Sequence, residues 1–285
     1  MPQLILALDS HGLSAFQRCR REFKEANINH LESIVPKDFY DKGTLVHAIL
    51  ALYRRLRRRG FESGKAALLC SRRIDKFSAD LSLDKQTKAF LVQKFFEYIS
   101  YYKTDPAKTV GVEVGFSEVL YEDKKYLFIY EGRIDWIVMN YITGLGQRLA
   151  FVDTKTRSQD YDLNPYCNQF FGYAWALRQI FGTKYDLWGF VDYFGLQKTK
   201  TDFERSWFKF TEAQIQDWVR TTVYWYHQII SAQQFNIFPQ NWQCSRKFGD
   251  CDFVRLCCEP NEKIRNGLKK TYFRKRDSKW QAWKN

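Results

Sequence analysis

Gly132-Arg133-Ile134-Asp135, followed by Phe151-Val152-Asp153-Thr154-Lys155, is the pair of segments on which the reading of this chain turns. Each is a run that closes on a carboxylate, and the second adds a lysine two residues later. Side chains alternate along a strand, so Asp153 and Lys155 share one face and Thr154 points away. If a strand over Tyr126–Met139 pairs with the second segment as a hairpin, Asp135 stands beside them. Two carboxylates and an ammonium then converge on one spot. That arrangement suits a divalent cation and a water attacking a phosphodiester.

An acidic residue followed two places later by lysine is a weak pattern alone. Glu22-Phe23-Lys24, Glu122-Asp123-Lys124 and Asp123-Lys124-Lys125 carry it too, in charged or turn-like stretches where a solvated face explains it. Asp153-Thr154-Lys155 differs because Leu149-Ala150-Phe151-Val152 precedes it, and unpaired charges at the end of a buried strand are costly. On this motif alone, a structural salt bridge and a functional site account for it equally well.

The chain has 285 residues, 45% of them hydrophobic, which excludes disorder for most of its length and allows a sizeable core in one domain or two. No apolar stretch approaches the roughly 18–20 residues that span a bilayer. Met1 to Ser10 has a short apolar run without a basic leader or cleavage site, so no signal peptide is expected and the expected location is cytoplasmic. The formal charge of +13 favours a polyanionic partner; a merely soluble basic surface is the alternative. Arg54, Arg55, Arg57, Arg58 and Arg59 crowd one helix end. Between Asn261 and Asn285, nine Lys or Arg residues interleave with Tyr272, Phe273, Trp280 and Trp283. Cations mixed with flat rings suit a phosphate backbone and unstacked bases, and a solvated tail is the competing explanation.

The first hundred residues read as helical: Leu45, Ile49, Leu52 and Leu56 recur at helical spacing, and a second helix follows over Lys85 to Tyr102. From Thr109 the texture turns β-branched and aromatic, with strands expected over Val110–Tyr121, Tyr126–Met139, Arg148–Thr156, Tyr185–Phe194 and Phe203–Phe210. Gly144 and Gly146 mark a turn before the third of these. A helix over Leu163–Phe181, ended by Gly182, interrupts the strands, and another opens at Thr211-Glu212 and runs to about Ser231. No internal repeat or low-complexity tract is present. The fold class is therefore α/β, a central mixed sheet flanked by helices. We expect a helical N-terminal region over 1–108, a catalytic core over 109–235 and a cysteine-bearing C-terminal region with a basic tail over 236–285, together one compact unit.

Further residues bear on the chemistry. Glu113 places another carboxylate inside the strand-like Val110-Gly111-Val112-Glu113-Val114. His47 sits on the first long helix, off its main apolar stripe. Gln169 and Tyr173 are four apart and share a helix face. Each is unremarkable alone, but their order resembles that of the PD-(D/E)XK nuclease superfamily, in particular its RecB-like branch of CRISPR-associated and phage exonucleases. The likeness runs from about Ser14 to Cys257. It matches Gly43-Thr44-Leu45-Val46-His47 to the family's histidine helix, and Glu113 to its strand glutamate. Gly132-Arg133-Ile134-Asp135 matches the first metal-binding aspartate, Asp153-Thr154-Lys155 the carboxylate and lysine, and Gln169-Phe170-Phe171-Gly172-Tyr173 the Q-x-x-x-Y helix.

The resemblance implies a restriction-endonuclease-like core and metal-assisted hydrolysis of DNA, single-stranded or at duplex ends. It implies that Asp135, Asp153 and the Thr154 carbonyl bind Mg²⁺ or Mn²⁺, with His47 and Glu113 completing the site; an imidazole ligand leans toward Mn²⁺. Lys155 is expected to act electrostatically, because an ordinary lysine with pKa about 10.4 stays protonated at neutral pH. Gln169 and Tyr173 support the lysine or a phosphate.

Seven cysteines occur. Cys70 and Cys167 read as small buried hydrophobes, whereas Cys244, Cys251, Cys257 and Cys258 cluster as thiolates do around zinc or iron–sulfur. Some RecB-like nucleases hold an iron–sulfur cluster with one upstream and three downstream cysteines. By that resemblance Cys19, Cys244, Cys251 and Cys257 would hold a cluster, [4Fe-4S] by expectation and zinc as the alternative. The six-residue gap from Cys244 to Cys251 is longer than the family's usual two, and Cys258 can stand in for Cys257. Two rival functions remain: a non-catalytic DNA-binding adaptor for recombination or CRISPR adaptation that keeps the fold, and a metal–thiolate redox protein that leaves the carboxylates unexplained.

Overall fold

The computed structural model describes residues 3–35, 38–105, 107–142, 146–157, 164–197, 202–241, 243–246 and 249–276. In chain order the elements are β1 (Leu4–Leu8), α1 (Ser10–Arg18), α2 (Arg20–Phe23), a π-helical turn (Lys24–Ile28), β2 (Leu31–Ser33), α3 (Asp38–Arg58), α4 (Ser63–Ser71), α5 (Ile74–Phe77) and α6 (Lys85–Tyr101). The long strands β3 (Lys108–Glu122), β4 (Tyr126–Ile142) and β5 (Gly146–Arg157) follow, then α7 (Asn168–Phe181), β6 (Leu187–Gly195), β7 (Phe203–Lys209) and α8 (Glu212–Gln234). The chain closes with β8 (Ser245–Arg246), β9 (Gly249–Asp250), α9 (Val254–Cys258), α10 (Glu262–Tyr272) and β10 (Phe273–Lys275).

Two compact units are built from interleaved segments: Met1–Val35, Gly115–Gly132 and Ala213–Asn285 make the first, Pro36–Val114 and Arg133–Glu212 the second. In the second unit the sheet is mixed. β4 pairs antiparallel with β5, β5 parallel with β6, and β6 antiparallel with β7. β6 is buried along its whole length, as a strand with neighbours on both sides and helices above it must be, and its Leu187-Trp188-Gly189-Phe190-Val191 run is correspondingly apolar. The stripe predicted on α3 holds: Leu45, Ile49 and Leu56 are buried against Phe95 and Tyr98 of α6 and Phe194 of β6, with Leu52 partly buried beside them. Asp84 accepts the Thr87 amide at 2.6 Å and starts α6 one residue after it, as an acidic N-cap does.

In the first unit β1 runs parallel to β4, Leu4 opposite Tyr126 and Leu8 opposite Tyr130. This corrects the reading of the first hundred residues as helical. Leu4-Ile5-Leu6-Ala7-Leu8 lacks alternation, and only pairing with a strand more than a hundred residues away makes it β. β2, paired with β10, is a second short strand missed for the same reason. The helix expected from Leu163 begins only at Asn168, after bends at 165–167; Leu163 itself, Gly144, Trp280 and Trp283 lie outside the described residues.

Candidate active site

Trp136 stands opposite Val152 in the β4–β5 hairpin, so Asp135 and Asp153 follow one step further along each strand. The Thr154 amide donates to Asp135 Oδ2 at 3.0 Å, which locks that register at the site. Asp153 and Lys155 share the face that alternation predicted. Lys155 Nζ lies 2.8 Å from Asp153 Oδ2, while the aspartate is 1% exposed and the lysine 27%. Thr154 faces the other way, and its hydroxyl accepts from Arg54 at 3.2 Å.

α3 brings His47 to the other side of Asp135, Nδ1 standing 3.2 Å from Oδ2. β3 brings Glu113, held by Arg133 Nε at 2.8 Å. Glu113 has a φ of 52°, a left-handed backbone that a glutamate adopts only when its surroundings enforce it. Gly111 makes room for this: a Cβ there would sit 2.5 Å from the Val114 side chain. Strain is thus accepted at the residue that turns its carboxylate toward Asp135. One ligand atom each from His47, Glu113 and Asp135 lies within 4.8 Å of the others. An imidazole nitrogen and two carboxylates are a donor set for Mn²⁺ or Mg²⁺, and Asp153 flanks it with its own carboxylate already engaged by Lys155.

The electrostatics follow from this packing. Burial opposes ionisation of Asp135, but His47, then Lys155 and the Thr154 amide, outweigh it and hold its pKa near about 2. Burial and then the Asp135 carboxylate raise the pKa of Glu113. Burial likewise raises that of Asp153, with Lys155 opposing and Asp135 adding to the rise. Burial disfavours the Lys155 ammonium, yet Asp153 and then Asp135 raise its pKa above the ordinary value. For His47, burial is overcome by Asp135, so its pKa is raised as well.

α7 closes the site. Gln169 Oε1 accepts from Lys155 Nζ at 3.2 Å, and its Nε2 donates to Asp153 Oδ1 at 3.0 Å and to the Tyr173 hydroxyl at 2.9 Å. Tyr173 passes the chain on to the Arg133 carbonyl at 2.8 Å. Cys167 caps this helix and is half-buried beside the Asp153–Lys155 pair, which corrects its reading as an isolated buried hydrophobe; Cys70 is buried as expected.

Arg54 is the residue the sequence misplaced. It is no part of a surface cluster: it is buried, stacks 4.3 Å from the Trp136 ring and pairs with the fully buried Asp192 at 3.0 Å. Tyr98 donates to the same Asp192, and Arg205 lies 3.5 Å from its other oxygen. Asp192 is the β6 partner of Thr154. Arg54 lies seven residues after His47, two helical turns, and that spacing was the available signal.

The first unit contains Cys19 and the four C-terminal cysteines. Cys251 is buried and packs with Phe253, Leu256 and Phe273, with Cys244 and Cys257 alongside. The Cys251 amide donates to the Cys244 carbonyl at 2.6 Å. Burial, then Cys251, Cys19 and Cys244 as neighbouring charges, push the Cys257 thiol up to about 12. Cys19, far off in sequence, is among the groups that contribute to this rise. Among the described residues no three sulfurs lie mutually within 4.8 Å, wider than a tetrahedral zinc with Zn–S near 2.3 Å would draw them. Cys258 is exposed.

A family model for the PD-(D/E)XK nuclease superfamily matches residues 11–258. Among solved structures, a Eubacterium rectale protein provisionally named an exonuclease is similar with a TM-score of 0.51 at 14% identity, over 90% of this chain and 91% of that one. The structure of SSO0001 matches at a TM-score of 0.37 and 13% identity, over 86% and 84%. No curated protein matches.

Proposed function

Since this chain belongs to the PD-(D/E)XK nuclease superfamily, we propose that it is a divalent-metal-dependent deoxyribonuclease, an exonuclease acting on single-stranded or end-bearing DNA. The observation that carries this reading is the convergence of His47, Glu113 and Asp135 beside the Lys155–Asp153 pair. Asp135, Glu113 and His47, with Asp153 and the Thr154 carbonyl, would hold Mg²⁺ or Mn²⁺, whose chemistry is to acidify a bound water and offset phosphate charge. Lys155, kept protonated by Asp153, meets the scissile phosphate as a cation and is no proton acceptor. Gln169 fixes the ammonium's direction, and Tyr173 fixes Gln169. Arg133 keeps the Glu113 carboxylate aimed. The provisional name of the Eubacterium rectale protein points to the same exonuclease class.

Cys19, Cys244, Cys251 and Cys257 would hold an iron–sulfur cluster of the [4Fe-4S] kind; the packing of Cys244, Cys251 and Cys257 in one small cluster supports this. Its role there is to staple α1 to the C-terminal segment.

Labelled single- and double-stranded DNA incubated with Mn²⁺ or Mg²⁺ tests the reading. Wild type should degrade it, and Lys155→Ala should lower turnover by about 10²–10³, the scale of removing one charge-stabilising donor. Asp153→Ala should also abolish cleavage. Degradation that survives both substitutions overturns the assignment, and binding without cleavage in every metal favours the adaptor.

A further inference from the structure

Helix α3 continues past the cation site. His47 lies in its third turn, and Arg55, Arg58 and Arg59 follow roughly 12–18 Å further along the axis, at 1.5 Å per residue. Spacings of three and four place these arginines on one face. Stepping back by seven and four from Arg55 reaches Ala48 and then Thr44, so the same stripe passes beside His47 with small side chains. Thr44 is exposed and Ala48 half-buried; Arg55, Arg58 and Arg59 are exposed.

The five arginines of this segment are not equivalent. Arg54 is consumed by Asp192 and Thr154. Arg57 donates to the Phe61 carbonyl at 2.7 Å. Glu62, the nearest acid in sequence, accepts the Gly64 and Lys65 amides at the start of α4. Arg55, Arg58 and Arg59 take no side-chain hydrogen bond or ion pair among the described residues. Three like charges on one face repel one another, and a polyanion relieves that repulsion. The helical spacing therefore runs this stripe along α3 from beside His47 to the arginines.

We propose that the α3 stripe Thr44–Ala48–Arg55–Arg58–Arg59 is a binding track for the sugar–phosphate backbone of the DNA strand at the cation site. This rests on the nuclease reading above. The small residues admit the backbone next to His47, and the arginines grip the phosphates beyond it.

The test is an Arg55→Gln/Arg58→Gln/Arg59→Gln variant, with Arg57→Gln as control, its circular dichroism and melting compared with wild type. DNA binding is followed in Ca²⁺ across a salt series, without cleavage. The slope of log affinity against log salt should fall by about 2–3 in the triple variant, one phosphate contact per arginine, and stay put in Arg57→Gln. In Mn²⁺, KM for a long oligonucleotide should rise about tenfold or more while kcat moves less than about twofold. An unchanged salt slope in a folded triple variant overturns the track and leaves the nuclease reading intact. A wild type that binds with the expected slope but cuts nothing overturns the nuclease reading and leaves the track. A single Arg55→Gln variant, expected to lose about one unit of slope, decides the matter if the triple variant misfolds.

Discussion

Glu131 on β4 has one carboxylate oxygen buried without a hydrogen-bond partner among the described residues. Burial, then the charge of Asp9, push its pKa up to about 7 from the ordinary 4.5. The folded chain therefore keeps a proton that the unfolded chain gives up between these values. Where the folded state binds more protons, stability falls as pH rises, so this contribution is full below pH 4.5 and lost by about pH 7. Thermal melts across pH 4–8 should show Glu131→Gln flattening that decline and melting higher than wild type at pH 8. Half the group is solvated, so the effect is modest. Nothing in Tyr130-Glu131-Gly132 announced it, because an acid in a strand reads as surface until its neighbours are known. Asp153 and Lys155 were legible for the opposite reason: their alternation and the apolar run before them are local facts. Glu113 was legible as a carboxylate in a strand, whereas its left-handed backbone was not.

Among the elements, α3 shows most clearly where local pattern stops. Its apolar stripe predicted the helix and its buried face, since Leu45, Ile49 and Leu56 obey one period. The same helix carries two arginine populations that composition cannot separate. Arg54 points into the sheet because Thr154 and Asp192, neighbours across β5 and β6, offer it acceptors beneath Trp136. Arg54→Met should keep the stack on Trp136 but leave Asp192 short of a partner. A destabilisation of about 3 kcal/mol is expected, at the low end for breaking a buried pair, because Tyr98 and Arg205 still reach Asp192. Urea unfolding would measure it. A variant as stable as wild type would show that the pair contributes little. The β1 and β2 strands went unread because strand pairing across long sequence separations leaves no trace in the paired segment itself.

At the scale of the molecule, each compact unit is assembled from segments distant in sequence, and each owns one chemical cluster. The carboxylate–lysine site lies wholly in one unit, and Cys19 with the four C-terminal cysteines in the other. If the cysteines hold a cluster, Cys19→Ser and Cys257→Ser should each remove bound iron and visible absorption from anaerobically prepared protein. The melting temperature should fall by several degrees, as loss of a long-loop cross-link implies. Iron content equal to wild type in both variants would exclude these two as ligands. The nuclease family and the mixed sheet were readable from motif order. The division into interleaved units was not, because each unit draws together segments distant in sequence.

The contacts from Lys155 through Gln169 and Tyr173 to the Arg133 carbonyl close a ring, since Arg133 precedes Asp135 by two residues on β4. The ammonium and the carboxylate it serves are thus fastened into a single frame. A displacement of one is therefore carried to the other through the ring.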